Sequence, residues 1–255
     1  MNLSRMQDVA GLRVVVADIK DVYNLNDKLI KSEKAPNFKS NRVREYDYIK
    51  DNNPGPKESG YRSLHIVYQY EDKKFNKINV EIQIRTKLHH AWATSVEIMG
   101  AYLKQPLKQS FGDKKILELF KKISTGFKLL EENKKDALLA KEIELLIEEE
   151  KLIDRLKGFK KVTENISGKG SGKYFLIQLN FDKRNLVITR FSESGLDDAN
   201  KKYIELEQKY KENNNMDIVL VSVNDIKKLK EMYPNYFLDA DEFIKYLKIT
   251  LKEIN

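Results

Sequence analysis

Between Asn79 and Trp92 the chain reads NVEIQIRTKLHHAW. Val80, Ile82 and Ile84 alternate with Glu81, Gln83 and Arg85, the period of a strand with one apolar and one polar face. Such a polar face is either open to water or the floor of a site. From Thr86 the period becomes helical: Leu88, Trp92, Val96 and Met99 recur at spacings of four, four and three. Upstream, AGLRVVVADI (10–19) predicts a buried strand, and DVYNLNDKLIKS (21–32) a short helix with Asp21 as its N-cap. YRSLHIVYQYED (61–72) and INVEIQIRT (78–86) predict the two strands of a hairpin turning at 73–77. The stretch 34–60, rich in Pro, Asn, Lys and Ser, is predicted to be mainly loop.

Beyond the first helix, residues 113–156 carry Ile116, Phe120, Ile123, Leu130, Leu138, Ile143 and Leu146 on helical apolar stripes, with an interruption expected at Thr125-Gly126. EIELLIEEEK is expected to be a solvated face. SGKGSGK (167–173) invites a phosphate-loop reading that fails on spacing: Ser167 stands where the first Gly is needed, and Tyr174 follows the Lys. It is expected to be a connector. YFLIQLNFD and NLVITRFS then predict a hairpin, LDDANKKYIELEQKYKEN a helix, DIVLVSV a strand and the C-terminal stretch a helix broken near Pro234. The expected fold is α/β (α+β): a mixed β-sheet flanked by helices over 1–105, a helical extension over 106–160, and a small ββαβα module over 161–255. That module shows no chemical constellation. It reads equally as a docking or regulatory unit, by which the chain would meet a protein partner or another copy of itself, and as plain support.

With 255 residues the chain holds one large or two small domains. No apolar run approaches the roughly 20 residues of a membrane span, the N-terminus lacks a secretory core, and there is no cysteine for a disulfide or thiolate metal site. A cytoplasmic location and no membrane partner are expected. The net charge of +8 favours polyanions such as nucleotides or RNA, although lysines and acids are interleaved along the chain.

Two carboxylates stand where strands would present them: Asp8, just before the first strand, and Glu81, on the polar face of the third. Phosphate chemistry commonly uses a divalent cation held by such oxygens. Arg13 interrupts an apolar strand, which demands a partner or an opening to solvent; Gly11 leaves room beside it. In PKESGYRSLH, Lys57 and Arg62 are placed to hold phosphates and Tyr61 to stack on a base, with His65 close by. Gln83 and Arg85 share the face of Glu81. A histidine metal site is not expected, since His89 and His90 are helical neighbours that point apart.

QDVAGLRVVV, PKESGYRSLH and VEIQIRTKLHHAWATSVE, in this order, resemble the synthetase domain of the RelA/SpoT family over roughly residues 5–102. The resemblance implies a nucleotidyltransferase-like core and transfer of pyrophosphate from ATP to the ribose 3′-hydroxyl of GTP or GDP, making the alarmone (p)ppGpp. It implies that Asp8 and Glu81 serve Mg²⁺, with Glu81 also serving the attacking hydroxyl. Arg13 would stack on the adenine of ATP and Tyr61 on the acceptor guanine, with Lys57 and His65 lining the acceptor pocket. Gln83 and Arg85 match polar neighbours in the same motif.

The family normally carries several dozen residues before the Asp8 motif, including a basic segment that grips ATP phosphates. This chain has seven residues there, so weak ATP binding is expected. No histidine precedes an aspartate, so alarmone hydrolysis is not expected. Two rival readings share the motifs: a relative that modifies the tRNA 3′ end or adenosine nucleotides, and an inactive nucleotide-sensing module.

Overall fold

The computed structural model describes residues 10–34, 40–51, 54–72, 76–159, 163–167, 172–180, 183, 185–211, 216–223 and 240–255. The chain divides into two compact units, the first of Met1–Ala93, Lys114–Leu146 and Lys245–Asn255, the second of Thr94–Asp113 and Ile147–Ile244. Among the described residues no helix is long and apolar enough to cross a membrane.

The first unit is built on a mixed sheet of β1 (Ala10–Val16), β2 (Ser40–Asp47), β3 (Leu64–Asp72) and β4 (Asn76–Thr86), in the order β1-β4-β3-β2. β1 runs parallel to β4, while β3 is antiparallel to both β4 and β2. Helix α1 (Ile19–Ser32) covers one face. Its Leu25 and Leu29 and the buried Val22 pack with Leu64, Ile66, Ile84 and Ile49. Each fully buried aliphatic side chain contributes about 1.5–3 kcal/mol, so this face anchors the sheet. α1 is capped by Asp18, whose carboxylate accepts the backbone N–H of Asp21 at 2.9 Å. The cap therefore lies three residues before the one the sequence suggested.

Two expectations need correction here. The first strand is not buried: β1 is an edge of the sheet, Leu12 is 60% exposed, and Arg13 is open to solvent. Valine content signalled a strand but not its position in the sheet. The stretch expected to be mainly loop contains strand β2. SNRVREYD has few apolar positions, as an edge strand allows, and its pairing shifts register between Arg42 and Arg44.

β4 passes directly into α2 (Lys87–Leu103), which extends from the first unit into the second. Thr86 makes the join: its hydroxyl accepts the N–H of His89 and donates to Glu131 at 2.7 Å. The long helical stretch is three helices, α3 (Lys114–Glu131), α4 (Ala137–Glu149) and α5 (Leu152–Phe159). The breaks fall near Asn133 and Lys151, both at positive φ, rather than at Thr125-Gly126. Leu138, expected on an apolar stripe, is exposed.

Gly126 lies inside α3 because a helix crosses there. A side chain at that position would meet Thr250 at 3.2 Å, Ile143 at 3.4 Å and Ile254 at 3.5 Å. Thr250 and Ile254 belong to α7 (Asp241–Ile254), of which Lys245–Ile254, with Asn255, falls in the first unit.

The second unit contains a sheet of β5 (Thr163–Ser167), β6 (Tyr174–Asn180), β7 (Asn185–Phe191) and β8 (Met216–Ser222), ordered β5-β7-β6-β8. Leu206 of α6 (Leu196–Tyr210) packs on Leu176 and Ile218. The expected hairpin, helix and strand are present, and β5 adds a strand parallel to β7. Residues 168–171, most of the expected connector, and 224–239, including the expected break at Pro234, lie outside the described residues.

Candidate functional site

The face of the first sheet opposite α1 carries the polar residues, and strand register fixes their neighbours. Across the four strands one row reads Arg13, Gln83, His65, Tyr46; the next reads Gly11, Glu81, Val67, Arg44. Residues two apart along β4 are about 6.8 Å apart on one face, so Glu81, Gln83 and Arg85 form a polar ridge.

Glu81 is at its centre. One carboxylate oxygen accepts from His65 Nδ1 at 2.8 Å, and the other from the Gln83 amide at 2.6 Å. The His65 hydrogen bond holds the Glu81 carboxyl below its usual range, assisted by the Gln83 amide and the Lys57 charge; partial burial opposes them. The group is thus a fixed carboxylate at neutral pH. Beside it in the register stands Gly11, where, among the described residues, a Cβ would meet only the Glu81 carbonyl oxygen, at 3.7 Å. The missing side chain leaves one flank of the carboxylate open.

His65 links Glu81 to an aromatic group. Its Nε2 lies 2.9 Å from the Tyr61 hydroxyl. With Nδ1 donating to a carboxylate, a neutral ring must accept at Nε2, so the Tyr61 O–H is the donor. Tyr48 packs edge-on to His65 and Tyr61, with centroids 5.1 and 6.3 Å away, and stacks with Tyr46. The Lys57 ammonium lies over the rings of both Tyr48 and Tyr61, at 4.8 and 5.3 Å. This cluster offers a planar stacking surface beside a cation and a carboxylate.

The turn that delivers Tyr61 depends on Gly60. Its φ is +92°, and a Cβ there would come within 3.0 Å of Ser124 and 3.2 Å of the Lys121 backbone in α3. Only glycine fits both the backbone and the space. Ser124 also donates to the Gly60 carbonyl.

Two residues expected at the acceptor pocket are engaged elsewhere. The Arg62 guanidinium is buried, donating to the Ile49 carbonyl at 2.9 Å and to Ser124 at 3.3 Å. It is a strut between the loop and α3; a buried guanidinium needs fixed acceptors, and these supply them. Arg85 is 3% exposed and donates to His90 Nδ1. Lys57, Tyr61, His65, Gln83 and Glu81 come together; Arg13 is in the same row, next to Gln83. Asp8 lies outside the described residues. Among the described residues no cluster of three or more His, Asp and Glu side chains is arranged to hold a metal.

Sequence reasoning passed over Tyr46, Tyr48 and His90. The tyrosines stand two apart in REYDYI, a spacing that puts both on one face of an extended segment. For His90 no pattern gave a signal. The two histidines do part company: His89 meets Glu131 at 3.1 Å, while His90 meets Arg85.

Residues 1–105 match the family described as "Region found in RelA / SpoT proteins". The GTP pyrophosphokinase YwaC of Bacillus subtilis (strain 168) is 34% identical over 92 residues, 35% of this chain and 40% of that protein. The GTP pyrophosphokinase YjbM of the same organism is 35% identical over 95 residues, 36% of this chain and 41% of that protein. The chain therefore spans about two fifths of the length of these relatives. The crystal structure of small alarmone synthetase 1 from Bacillus subtilis bound to its product pppGpp aligns with a TM-score of 0.41 at 28% identity, covering 50% of this chain and 60% of that one.

Proposed function

From the premise that residues 1–105 form a RelA/SpoT-family region, we propose that the chain transfers pyrophosphate from ATP to the ribose 3′-hydroxyl of GDP or GTP. The observation that carries this reading is the Glu81 carboxylate, fixed by His65 and Gln83 beside the Tyr61–Lys57 stacking surface.

The guanine stacks on Tyr61, and Lys57 neutralises acceptor phosphate. Glu81 takes the proton of the 3′-hydroxyl as its oxygen attacks the β-phosphorus of ATP. The bond from O3′ to that phosphorus forms, the α,β-bridging bond breaks, and AMP leaves. His65 keeps the carboxylate aimed at the hydroxyl, and its own orientation is held by the Tyr61 O–H. Stacking and proton removal are therefore built on one hydrogen-bonded chain. Arg13, exposed on the neighbouring strand, serves the ATP side.

Mg²⁺ fits this donor set. Glu81 is an ionised, hard-oxygen ligand with an open flank at Gly11, and Mg²⁺ characteristically takes one or two carboxylates plus substrate oxygens. Glu81 and Asp8 would hold it, and the ion would supply charge compensation for the phosphate oxygens.

The test is incubation with ATP labelled at the β-phosphate together with GDP, GTP or tRNA, followed by chromatography. Label on the guanosine nucleotide is expected. Label confined to RNA, or to ATP and its hydrolysis products, overturns the proposal.

A further inference from the structure

His90 is a titratable residue for which the proposed reaction has no use. It lies in the first turn of α2, beside Arg85, which is 3% exposed and donates to His90 Nδ1. An arginine keeps its proton under all ordinary conditions, so the direction of this hydrogen bond is not in doubt. A neutral imidazole that accepts at Nδ1 must carry its proton on Nε2. Burial and the charges of Arg85 and Arg13 together push the His90 pKa down to about 3, so the ring is neutral across the working range. Among the described residues nothing bonds to Nε2, and the residue is partly exposed. The result is an N–H donor of fixed tautomer, electrostatically coupled to the exposed guanidinium of Arg13.

We propose that His90 is a second contact for the ATP donor, its Nε2–H donating to a phosphate oxygen of the nucleotide that Arg13 also engages. This rests on the transfer reading above. The chemistry favours an anionic oxygen. Arg13 and Arg85 already supply positive charge, and a neutral donor adds direction without like-charge repulsion. Arg85 acts through His90 as a positioning residue: buried out of reach of ligand, it selects which ring nitrogen carries the proton.

With only three histidines, ring ¹⁵N labelling of the full chain reads this directly, and His90→Leu assigns the resonance. Wild-type His90 is expected to show a neutral ring protonated at Nε2. Added ATP with Mg²⁺ should move its nitrogen shifts, and GDP alone should not. His90→Leu should weaken ATP binding about 10-fold or more, the loss of one hydrogen bond to a charged group, with GDP affinity held within about 2-fold. His90→Gln, whose amide N–H has similar reach, should recover most of the loss. ATP binding that leaves the wild-type His90 shifts unmoved overturns this inference alone, even where His90→Leu folds poorly. A wild-type chain that takes up no ATP overturns the donor-site reading and this inference with it.

Discussion

Glu81 shows how little a single residue needs to change to separate binding from chemistry. Both of its oxygens accept N–H groups, from His65 and Gln83. Glu81→Gln keeps the size but places an amide NH₂ against one of those donors and removes the proton acceptor. Transfer is expected to fall by about 10²–10⁴-fold, with GDP affinity, measured by calorimetry, within a few-fold because Tyr61 and Lys57 are untouched. Retained turnover would remove Glu81 from its role. His90 gives a second residue-scale expectation, on stability. Its folded pKa is about 3 against an ordinary 6.5, so between those values the unfolded chain binds a proton that the folded chain does not. Stability therefore falls as pH drops below 6.5, by at most about 2 kcal/mol by pH 5. Urea midpoints of wild type and His90→Gln at pH 7.5 and 5.0 check this: the variant should lose less on acidification. Legibility at this scale was uneven. Period-two alternation put Glu81 and Gln83 on one face, and the crowding of Lys57, Tyr61 and His65 at the start of a strand pointed to the aromatic cluster. Sequence carries no signal for where a guanidinium ends, so Arg62 and Arg85 read like ligand contacts while their acceptors, Ile49 O and Ser124, and His90, came from elsewhere in the fold.

At the scale of elements, periodicity located β3, β4, α1 and α2, because apolar side chains recur in each at the spacing of its own backbone. It missed β2, whose apolar positions are few at a sheet edge, and it buried β1, whose edge position depends on the order in which strands pair. Gly126 is the clearest reversal. A glycine in a helical stretch reads as a break, since it costs about 1 kcal/mol relative to alanine there. In the fold it is the price of a close crossing with Thr250 and Ile254. Gly126→Ala is expected to stay within about 1 kcal/mol of wild type, the propensity gain offsetting a methyl that Thr250 must yield to. Gly126→Leu should destabilise by about 1–3 kcal/mol through overpacking. Denaturant melts distinguish the crossing from a flexible hinge, at which both variants would stabilise.

For the whole molecule, the path of the chain matters more than its sequence order. The C-terminal residues Lys245–Asn255 belong to the same unit as the site. Leu247, Thr250 and Ile254 are buried, the Ile254 carbonyl accepts the Asp136 N–H at 2.7 Å, and Lys135 donates to the Asn255 carbonyl at 3.0 Å. α7 presses on Gly126 of α3; two residues earlier in α3, Ser124 bonds Gly60 and Arg62, which flank Tyr61. Support thus passes from the end of the chain to Tyr61 through groups that lie outside the Glu81–His65–Tyr61 hydrogen-bonded chain. Ending the chain after Ile244 removes two large buried aliphatics, worth together about 3–6 kcal/mol. It should lower the melting temperature and weaken GDP binding. The comparison that isolates the relay is the shortened chain against Ser124→Ala in the full chain. If α7 acts through α3, Ser124→Ala reproduces part of the GDP loss with a smaller loss of stability. Unchanged GDP affinity in both, measured below their melting temperatures, would show that the tyrosine turn stands without this support.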